Sequence, residues 1–187
     1  MPKDEVVLFD SPFITVLEFP WRENQPYTVV RPRTGKASSV IAIAPQQEGE
    51  AKVLLLQQER PPIFGKTWEM PAGGVDENET ELVGAAREFS EETGIKVDAK
   101  DLTSIGYVFA NPAFADETIS IYAVIFPKDF DLNAVRVQEN EILDYKWLPV
   151  SEAIRKSIED PHYSSLIATS LLRAHYQNLI ELTLPTR

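Results

Sequence analysis

The sequence "GGVDENETELVGAAREFSEETGI", residues 73–95, contains the strongest helix signal in the chain. Over residues 79–93, apolar residues recur at steps of three and four, as on a helix face that packs against a core: Leu82, Ala85, Ala86 and Phe89. Asn78 is predicted to cap the start, with Glu81 three residues later, and Gly94 to end the helix. The stretch therefore predicts an amphipathic helix entered from a glycine-rich loop.

Three glutamates, Glu88, Glu91 and Glu92, crowd the end of this helix, where the helix dipole disfavours negative charge. The like-charged pair Glu88 and Glu92, four residues apart, costs about 0.2–0.5 kcal/mol in an isolated helix. The position adds about 0.3–1 kcal/mol for each carboxylate. These costs are small enough for a solvated polar face, which is the simplest interpretation. A divalent cation would relieve them, and it would find its ligands on one face.

Carboxylate oxygens without His or Cys select the hard cations Mg²⁺, Mn²⁺ or Ca²⁺. Mg²⁺ usually binds one or two carboxylates and fills its other positions with water and substrate phosphates. The preceding "PAGG", residues 71–74, has two glycines, which allow a ligand to approach the backbone closely. We therefore predict a cation site, which would allow an acidic protein to bind an anionic pyrophosphate.

The composition restricts the classes of function. The chain of 187 residues is long enough for one domain with a substantial core. Its net charge of −11 argues against a general nucleic-acid-binding surface. The absence of cysteine excludes disulfides, thiolate metal sites and cysteine nucleophiles. With no secretory signal or membrane-spanning run in the sequence, we expect a cytoplasmic protein without a membrane partner.

Strand-like runs surround the helix and predict an α/β or α+β sandwich, with a mixed sheet between helices. They fall at residues 13–19, 27–31, 38–45, 51–59, 103–109, 118–126 and 145–149. Two further helices are predicted near 150–158 and 162–180. The first strand pair suggests an N-terminal extension over residues 1–35, followed by the main domain over 36–187.

The stretch that begins at Gly73 resembles the Nudix box, a pattern of fixed glycine, glutamate and arginine positions. The matching residues are Gly73, Glu79, Arg87, Glu88, Glu91, Glu92, Gly94 and Ile95. Phe89 departs from the pattern, because the family usually has an aliphatic residue there. The resemblance implies the Nudix fold and hydrolysis of a nucleoside diphosphate linked to another group.

The resemblance also implies roles for individual residues. Glu88 and Glu92 would be the main metal ligands, and the carbonyl of Ala72 would supply a further one. Glu91 would support them in catalysis. Arg87, together with Glu79, would orient the glutamates rather than contact phosphate. The simpler interpretation of Arg87 is a salt bridge that fixes the helix, and this role is nearly the same as the one that the family implies.

The sequences on either side of the box are similar to those of the ADP-ribose pyrophosphatase branch of the family. Upstream this is "QQERPPIFGKTWEMPAGG", and downstream it is "NPAFADETISIY". Glu117 matches a loop glutamate of that branch, which would position or deprotonate water or bind a further metal ion. Asp116 is the fallback acid, and Thr118 stands where relatives often have Arg. Without the box, the simplest interpretation of the loop around Glu117 would be a polar loop tip.

Substrate contacts are expected from three further residues. In the ADP-ribose branch, adenine is often held between an aromatic side chain and an arginine, for which Trp21 and Arg60 are candidates. Trp21 would act across a dimer, and simple packing is its alternative role. Gly74 would bring the backbone close to the substrate. Relatives commonly dimerise through their N-terminal strands, so a homodimer is expected.

The sequence thus predicts a hydrolase that uses Mg²⁺, with Mn²⁺ as the alternative, on a small nucleoside diphosphate derivative. We expect ADP-ribose to be cleaved to AMP and ribose 5-phosphate. A nucleotide-sugar pyrophosphatase of the same fold is the nearer alternative. A Nudix ligand-binding module that does not hydrolyse its ligand is the other, although the complete set of box carboxylates argues against it.

Overall fold

A computed structural model describes residues 4–23, 25–138 and 140–182. The chain forms two sheets. The N-terminal sheet is antiparallel and consists of β1 (Val6–Asp10), β2 (Ile14–Arg22) and β3 (Gln25–Pro32), in that order. Two of these strands match the predicted pair, but β1 was not predicted. All five β1 residues are exposed, so its sequence has no alternation between a buried and a polar face from which a strand could be recognised.

The second sheet is mixed and forms the centre of the protein. Its strands are β4 (Lys36–Ala44), β5 (Lys52–Arg60), β6 (Gly65–Glu69), β7 (Ala72–Gly74), β8 (Thr103–Phe109), β9 (Thr118–Ile125) and β10 (Ile142–Pro149). The main path of the sheet runs β10-β5-β4-β9-β8, with β6 added beside β5 and β7 beside β4. Only the pairing of β4 with β9 is parallel among the described strand pairs.

Helices cover both faces of the mixed sheet, which confirms the predicted fold class. On one face, α1 (Glu81–Thr93) inserts the fully buried Phe89 into a core with Leu54 and Leu56. On the other face, α2 (Val150–Glu159) and α3 (Ser165–Tyr176) pack against the alternate residues of the same strands, and Ile167 and Leu171 are fully buried. Short 3₁₀ turns occupy Pro61–Ile63, Ala99–Asp101 and Leu132–Ala134.

The central strand β4 changes partner along its length. Residues 37–39 pair with β7, whereas Ile43 and Ala44 pair with β5. Because β7 replaces β5 at this end, the glycine-rich strand lies directly beside α1. The fold thereby brings the loop and the helix of the 73–95 stretch into contact.

Helix α1 begins two residues later than predicted. Its N-cap is Thr80, whose hydroxyl accepts a hydrogen bond from Val83 N at 3.3 Å, so the prediction of Asn78 as N-cap was wrong. The reason is a turn at 76–79, in which Glu79 Oε1 accepts from Asp76 N. Gly94 ends the helix in the left-handed conformation as predicted, with φ 70°.

The last helix is shorter than predicted. The sequence suggested residues 162–180, but α3 begins only after Ser164, whose hydroxyl accepts from Leu166 N, and it ends at Tyr176. Asn178 adopts a left-handed φ of 60°, which a continuing helix could not accommodate. Within the described residues, none of the helices has the length and apolar character required to span a bilayer.

Replacing Gly94 is predicted to destabilise the fold more than replacing Gly35. Both glycines have left-handed φ angles, of 70° and 63°. A Cβ at Gly94 would lie 2.8 Å from Arg136 O, whereas one at Gly35 would meet nothing within 4 Å. Urea denaturation should therefore show a loss of about 1–2 kcal/mol for G35A, from backbone strain alone, and a clearly larger loss for G94A. Equal losses would contradict the close packing of Gly94 against Arg136.

Candidate active site

Arg87 is the centre of the charged network on α1. Its guanidinium donates to Glu79 at 2.6 Å, to Glu88 at 2.7 Å and to Glu91 at 3.1 Å. It also donates to the backbone carbonyl of Gly74 in β7 at 2.9 Å. These carboxylates, Glu79 foremost, raise the pKa of Arg87. The helix therefore carries within itself the positive charge that pairs with Glu88 and Glu91, which explains how these two acids are tolerated at this end.

Glu92 differs from the other glutamates of the helix because its hydrogen-bond donors are neutral. Oε1 accepts from the Gln58 side-chain amide at 2.9 Å, and Oε2 accepts from Ala72 N at 3.0 Å. Glu92 is only 4% exposed. Burial, with a smaller contribution from the charge of Glu88, raises the pKa of Glu92 to about 8. The buried carboxylate is thus oriented by hydrogen bonds, but these donors do not compensate its charge.

Glu88 lies against the glycine-rich strand. A Cβ added to Gly73 would fall 2.1 Å from the Glu88 carboxyl carbon, so only a glycine allows this approach. Burial raises the pKa of Glu88, although the hydrogen bond from Arg87 opposes this shift. The 73–74 backbone and the Glu88 carboxylate therefore form one wall of the site.

A cleft of about 590 Å³ opens above these groups. Glu88, Glu91 and Glu92 line it together with Arg60 from the end of β5. We call it the carboxylate cleft. Sequence reasoning missed Gln58 and Glu141, which also line it. The only signal of these residues in the sequence is their polarity beside a strand, because neither lies at a helical spacing from the residues of the box. The charge of Glu141 nevertheless contributes to the raised pKa values of Glu88 and Glu92.

A second cleft of about 430 Å³ lies on the other side of the glycine-rich strand, and we call it the adjoining cleft. Glu117 and Ser39 line it, along with Glu69 and Ser164. Burial raises the pKa of Glu117, and the charge of Asp116 adds to this effect. The structure therefore places Glu117 apart from the lining of the carboxylate cleft, although the sequence associated it with the metal ligands.

The two clefts share Arg60 and the backbone of residues 72–74. Arg60 forms a two-pronged ion pair with Glu69, with both N···O distances at 2.8 Å. Burial by itself would raise the pKa of Glu69, but the hydrogen bonds from Arg60 and Thr67 outweigh it and lower the pKa. Arg60 is thus a fixed positive charge between the two clefts, and Gly74 belongs to the same shared wall.

Trp21 lines neither cleft. It is 61% exposed on β2 and packs against Tyr27, with ring centroids 6.1 Å apart. The N-terminal sheet instead contacts the loop before β9, where Val30 N donates to Phe114 O at 2.7 Å. Arg31 Nε donates to Asp116 at 2.5 Å, so the fallback acid Asp116 is engaged in an ion pair. Within one chain, the structure does not bring Trp21 and Arg60 together around a common ligand.

The donor chemistry of the carboxylate cleft fits a hard divalent cation. Among residues 4–23, 25–138 and 140–182, no three acidic or histidine side chains converge closely enough to form a metal-binding group as they stand. Arg87 holds Glu88 and Glu91, which accounts for this separation. The buried Glu92 carboxylate, however, faces a cleft lined by other carboxylates, where an additional positive charge would be stabilising.

Comparisons with known proteins identify the family. The model of the NUDIX domain matches residues 35–168, which is more than half of the 187-residue chain. The methanol dehydrogenase activator of Bacillus methanolicus is 33% identical over 132 residues, covering 69% of this chain and 66% of that protein. The ADP-ribose pyrophosphatase of Bacillus subtilis is 37% identical over 73 residues, covering 39% of this chain and 38% of that protein.

The match spans only about two thirds of the first relative and two fifths of the second. A solved structure described as an ADP compounds hydrolase superposes with a TM-score of 0.65 and covers 95% of this chain and 92% of that chain. Its 14% sequence identity limits this likeness to the fold. The extent of the domain match, together with the Arg87-centred glutamate helix, establishes that the chain belongs to the Nudix family.

Proposed function

We propose that this protein hydrolyses ADP-ribose to AMP and ribose 5-phosphate with Mg²⁺, for which Mn²⁺ is the alternative. The observation that carries the proposal is the pair of clefts joined at Arg60 and residues 72–74. A pyrophosphate would lie in the carboxylate cleft, and a sugar would extend into the polar adjoining cleft. The similarity to the Bacillus subtilis protein named ADP-ribose pyrophosphatase supports this substrate class.

Glu88, Glu92 and the carbonyl of Ala72 would hold the metal ion. When bound, the ion would polarise the pyrophosphate and lower the pKa of a water molecule. Arg87 keeps Glu88 and Glu91 in place through its hydrogen bonds, so its contribution is orientation. Arg60 lies where it would bind a substrate phosphate oxygen between the two clefts.

Two carboxylates are candidates for positioning or deprotonating the attacking water. Glu117 approaches the shared wall from the adjoining cleft, and Glu141 lines the carboxylate cleft itself. Both sites put a carboxylate beside the backbone that we expect to contact the substrate. Glu117 is proposed for this role, as the resemblance implies, and Glu141 is the second candidate.

The N-terminal segment, residues 1–35, is proposed to mediate a homodimer of the main domain, residues 36–187. β1 and the following turn expose several apolar side chains: Val6, Val7, Leu8, Phe9 and Phe13. A partner molecule would cover them, and Trp21 would reach the partner's substrate. The lack of cysteine agrees with a reducing cytoplasmic location.

The function is tested with ADP-ribose, ADP-glucose, GDP-mannose, NADH and diadenosine polyphosphates, each with Mg²⁺ and with EDTA. We expect ADP-ribose to have the highest kcat/KM and EDTA to abolish turnover. E92Q should lower kcat at least about 100-fold, because even changes to the partners of metal ligands cost 10–100-fold. Faster turnover of a nucleotide sugar would replace the substrate assignment. Tight ADP-ribose binding without turnover would favour a binding module.

G73A should fold but lose activity, because its Cβ would displace the Glu88 carboxylate. The displaced group is the end of a flexible side chain, so the effect on stability should stay small. We expect a loss in kcat of at least about tenfold from misplacement of this carboxylate. G65A is the matched control, since a Cβ there would meet its first neighbour at 3.7 Å. Equal activities of G73A and G65A would contradict the position of Glu88.

The raised pKa of Glu92 predicts how stability depends on pH when EDTA removes metal ions. Its folded-state pKa of about 8 exceeds the ordinary value of 4.5. The stability linked to this carboxyl is therefore fully present below pH 4.5 and is lost as the pH rises through 8. E92Q does not titrate, and its hydrogen bond with Gln58 is retained if the Gln58 amide turns over.

Urea denaturation in EDTA should consequently find E92Q more stable than the wild type at pH 8.5, by on the order of 3 kcal/mol, and similar to it at pH 4.5. E81Q serves as the control with the opposite sign, because the hydrogen bond from Lys36 lowers the pKa of Glu81. A stability difference between E92Q and the wild type that does not change with pH would refute the expectation.

A further inference from the structure

Gln58 is the one side chain that donates a hydrogen bond to Glu92 among the described residues. It lies near the end of β5, is 8% exposed, and its amide reaches Glu92 Oε1 at 2.9 Å. Side chains alternate along a strand, so Gln58 lies on the same face as Leu54 and Leu56, which pack under α1. The strand thus delivers a polar group to the helix at the point where the apolar core meets the cleft.

The donors around the glutamates of α1 are divided by charge. The guanidinium of Arg87 binds Glu79, Glu88 and Glu91. Glu92 receives its hydrogen bonds from an amide side chain and a backbone N–H. Arg60 lines the same cleft but donates to Glu69 instead. An arginine or lysine in place of Gln58 would compensate the charge of Glu92, whereas an amide fixes its direction and leaves the charge in place.

We propose that Gln58 is a positioning residue, which holds the Glu92 carboxylate in the orientation that binds a divalent cation. Each carboxylate oxygen accepts one hydrogen bond here, and an ionised carboxylate has about four acceptor sites in total. Capacity for a cation therefore remains on both oxygens. The inference rests on the proposed function for the cation, but the contact between Gln58 and Glu92 exists without it.

Two donors from separate parts of the fold are needed to fix the carboxylate. Ala72 N, from the start of β7, holds Oε2, and Gln58, from β5, holds Oε1. With one donor alone, the carboxylate could rotate about its last torsion, which is broad for a glutamate. Removal of the Gln58 amide should therefore loosen Glu92 and weaken cation binding without removing a ligand.

The first experiment is a double-mutant cycle on the metal-free protein. Melting temperatures are measured in EDTA at pH 7 for the wild type, Q58M, E92M and the double variant. Methionine keeps the length of both side chains and removes their hydrogen bond. We expect the melting temperature of Q58M to be about 2–4 °C below that of the wild type. In the E92M background, Q58M should not lower the melting temperature, because the acceptor is already gone. Equal drops in both backgrounds would overturn the proposal.

The second experiment measures binding of Mn²⁺ alone by electron paramagnetic resonance. Q58M is expected to raise the Kd for Mn²⁺ about tenfold, the lower end of the range for partners of metal ligands. Q57M is the matched control: Gln57 is the neighbouring residue of the same strand, and its side chain faces the opposite side of the sheet. Q57M should leave the Kd unchanged.

The outcomes separate this inference from the proposed function. An unchanged Kd for Q58M, or an equal rise for Q57M, would overturn the positioning role. If the wild type binds no Mn²⁺, the proposed metal dependence fails, and the orientation of Glu92 for a cation fails with it. A substrate panel that shows no turnover by a protein with the expected Mn²⁺ affinities would instead reject the proposed reaction and leave the role of Gln58 supported.

Discussion

The site depends on one guanidinium. Arg87 joins Glu79 before the helix, Glu88 and Glu91 on the helix, and the carbonyl of Gly74 on the adjacent strand. Without this positive charge, the helix would place unpaired carboxylates at the end where its dipole already disfavours them. Arg87 thus allows an acidic helix to pack against a glycine-rich strand, and this contact forms the wall that Glu88 shares with residues 73–74.

The same distribution of charge sets Glu92 apart. Arg87 lies on the partly exposed side of the helix, whereas Glu92 lies on the side that packs towards the sheet, four per cent exposed. Burial without a hydrogen-bonded cation raises its pKa to about 8. A buried carboxylate of this kind lowers stability at neutral pH, and a functional site is where such a cost is retained. The metal ion that we propose would remove this cost.

The mixed sheet arranges the rest of the site. Because β4 pairs with β7 at one end and with β5 at the other, the backbone of residues 72–74 separates two clefts and belongs to both. Arg60 stands at the same junction. The N-terminal sheet contacts the loop that carries Asp116 and Glu117 through Val30 and Arg31. The adjoining cleft is therefore connected to a part of the chain that lies outside the mixed sheet.

The sequence by itself determined the mixed fold class, the helix with its left-handed Gly94, and the family, because these depend on local spacing and composition. It did not locate the helix start, since the hydrogen bond from Asp76 to Glu79 delays it to Thr80. Only the tertiary structure placed Gln58 and Glu141 beside the carboxylates and Glu117 in a separate cleft. Strand pairing and core packing bring residues from distant strands and loops together, and the spacing of these residues along the chain does not predict such contacts.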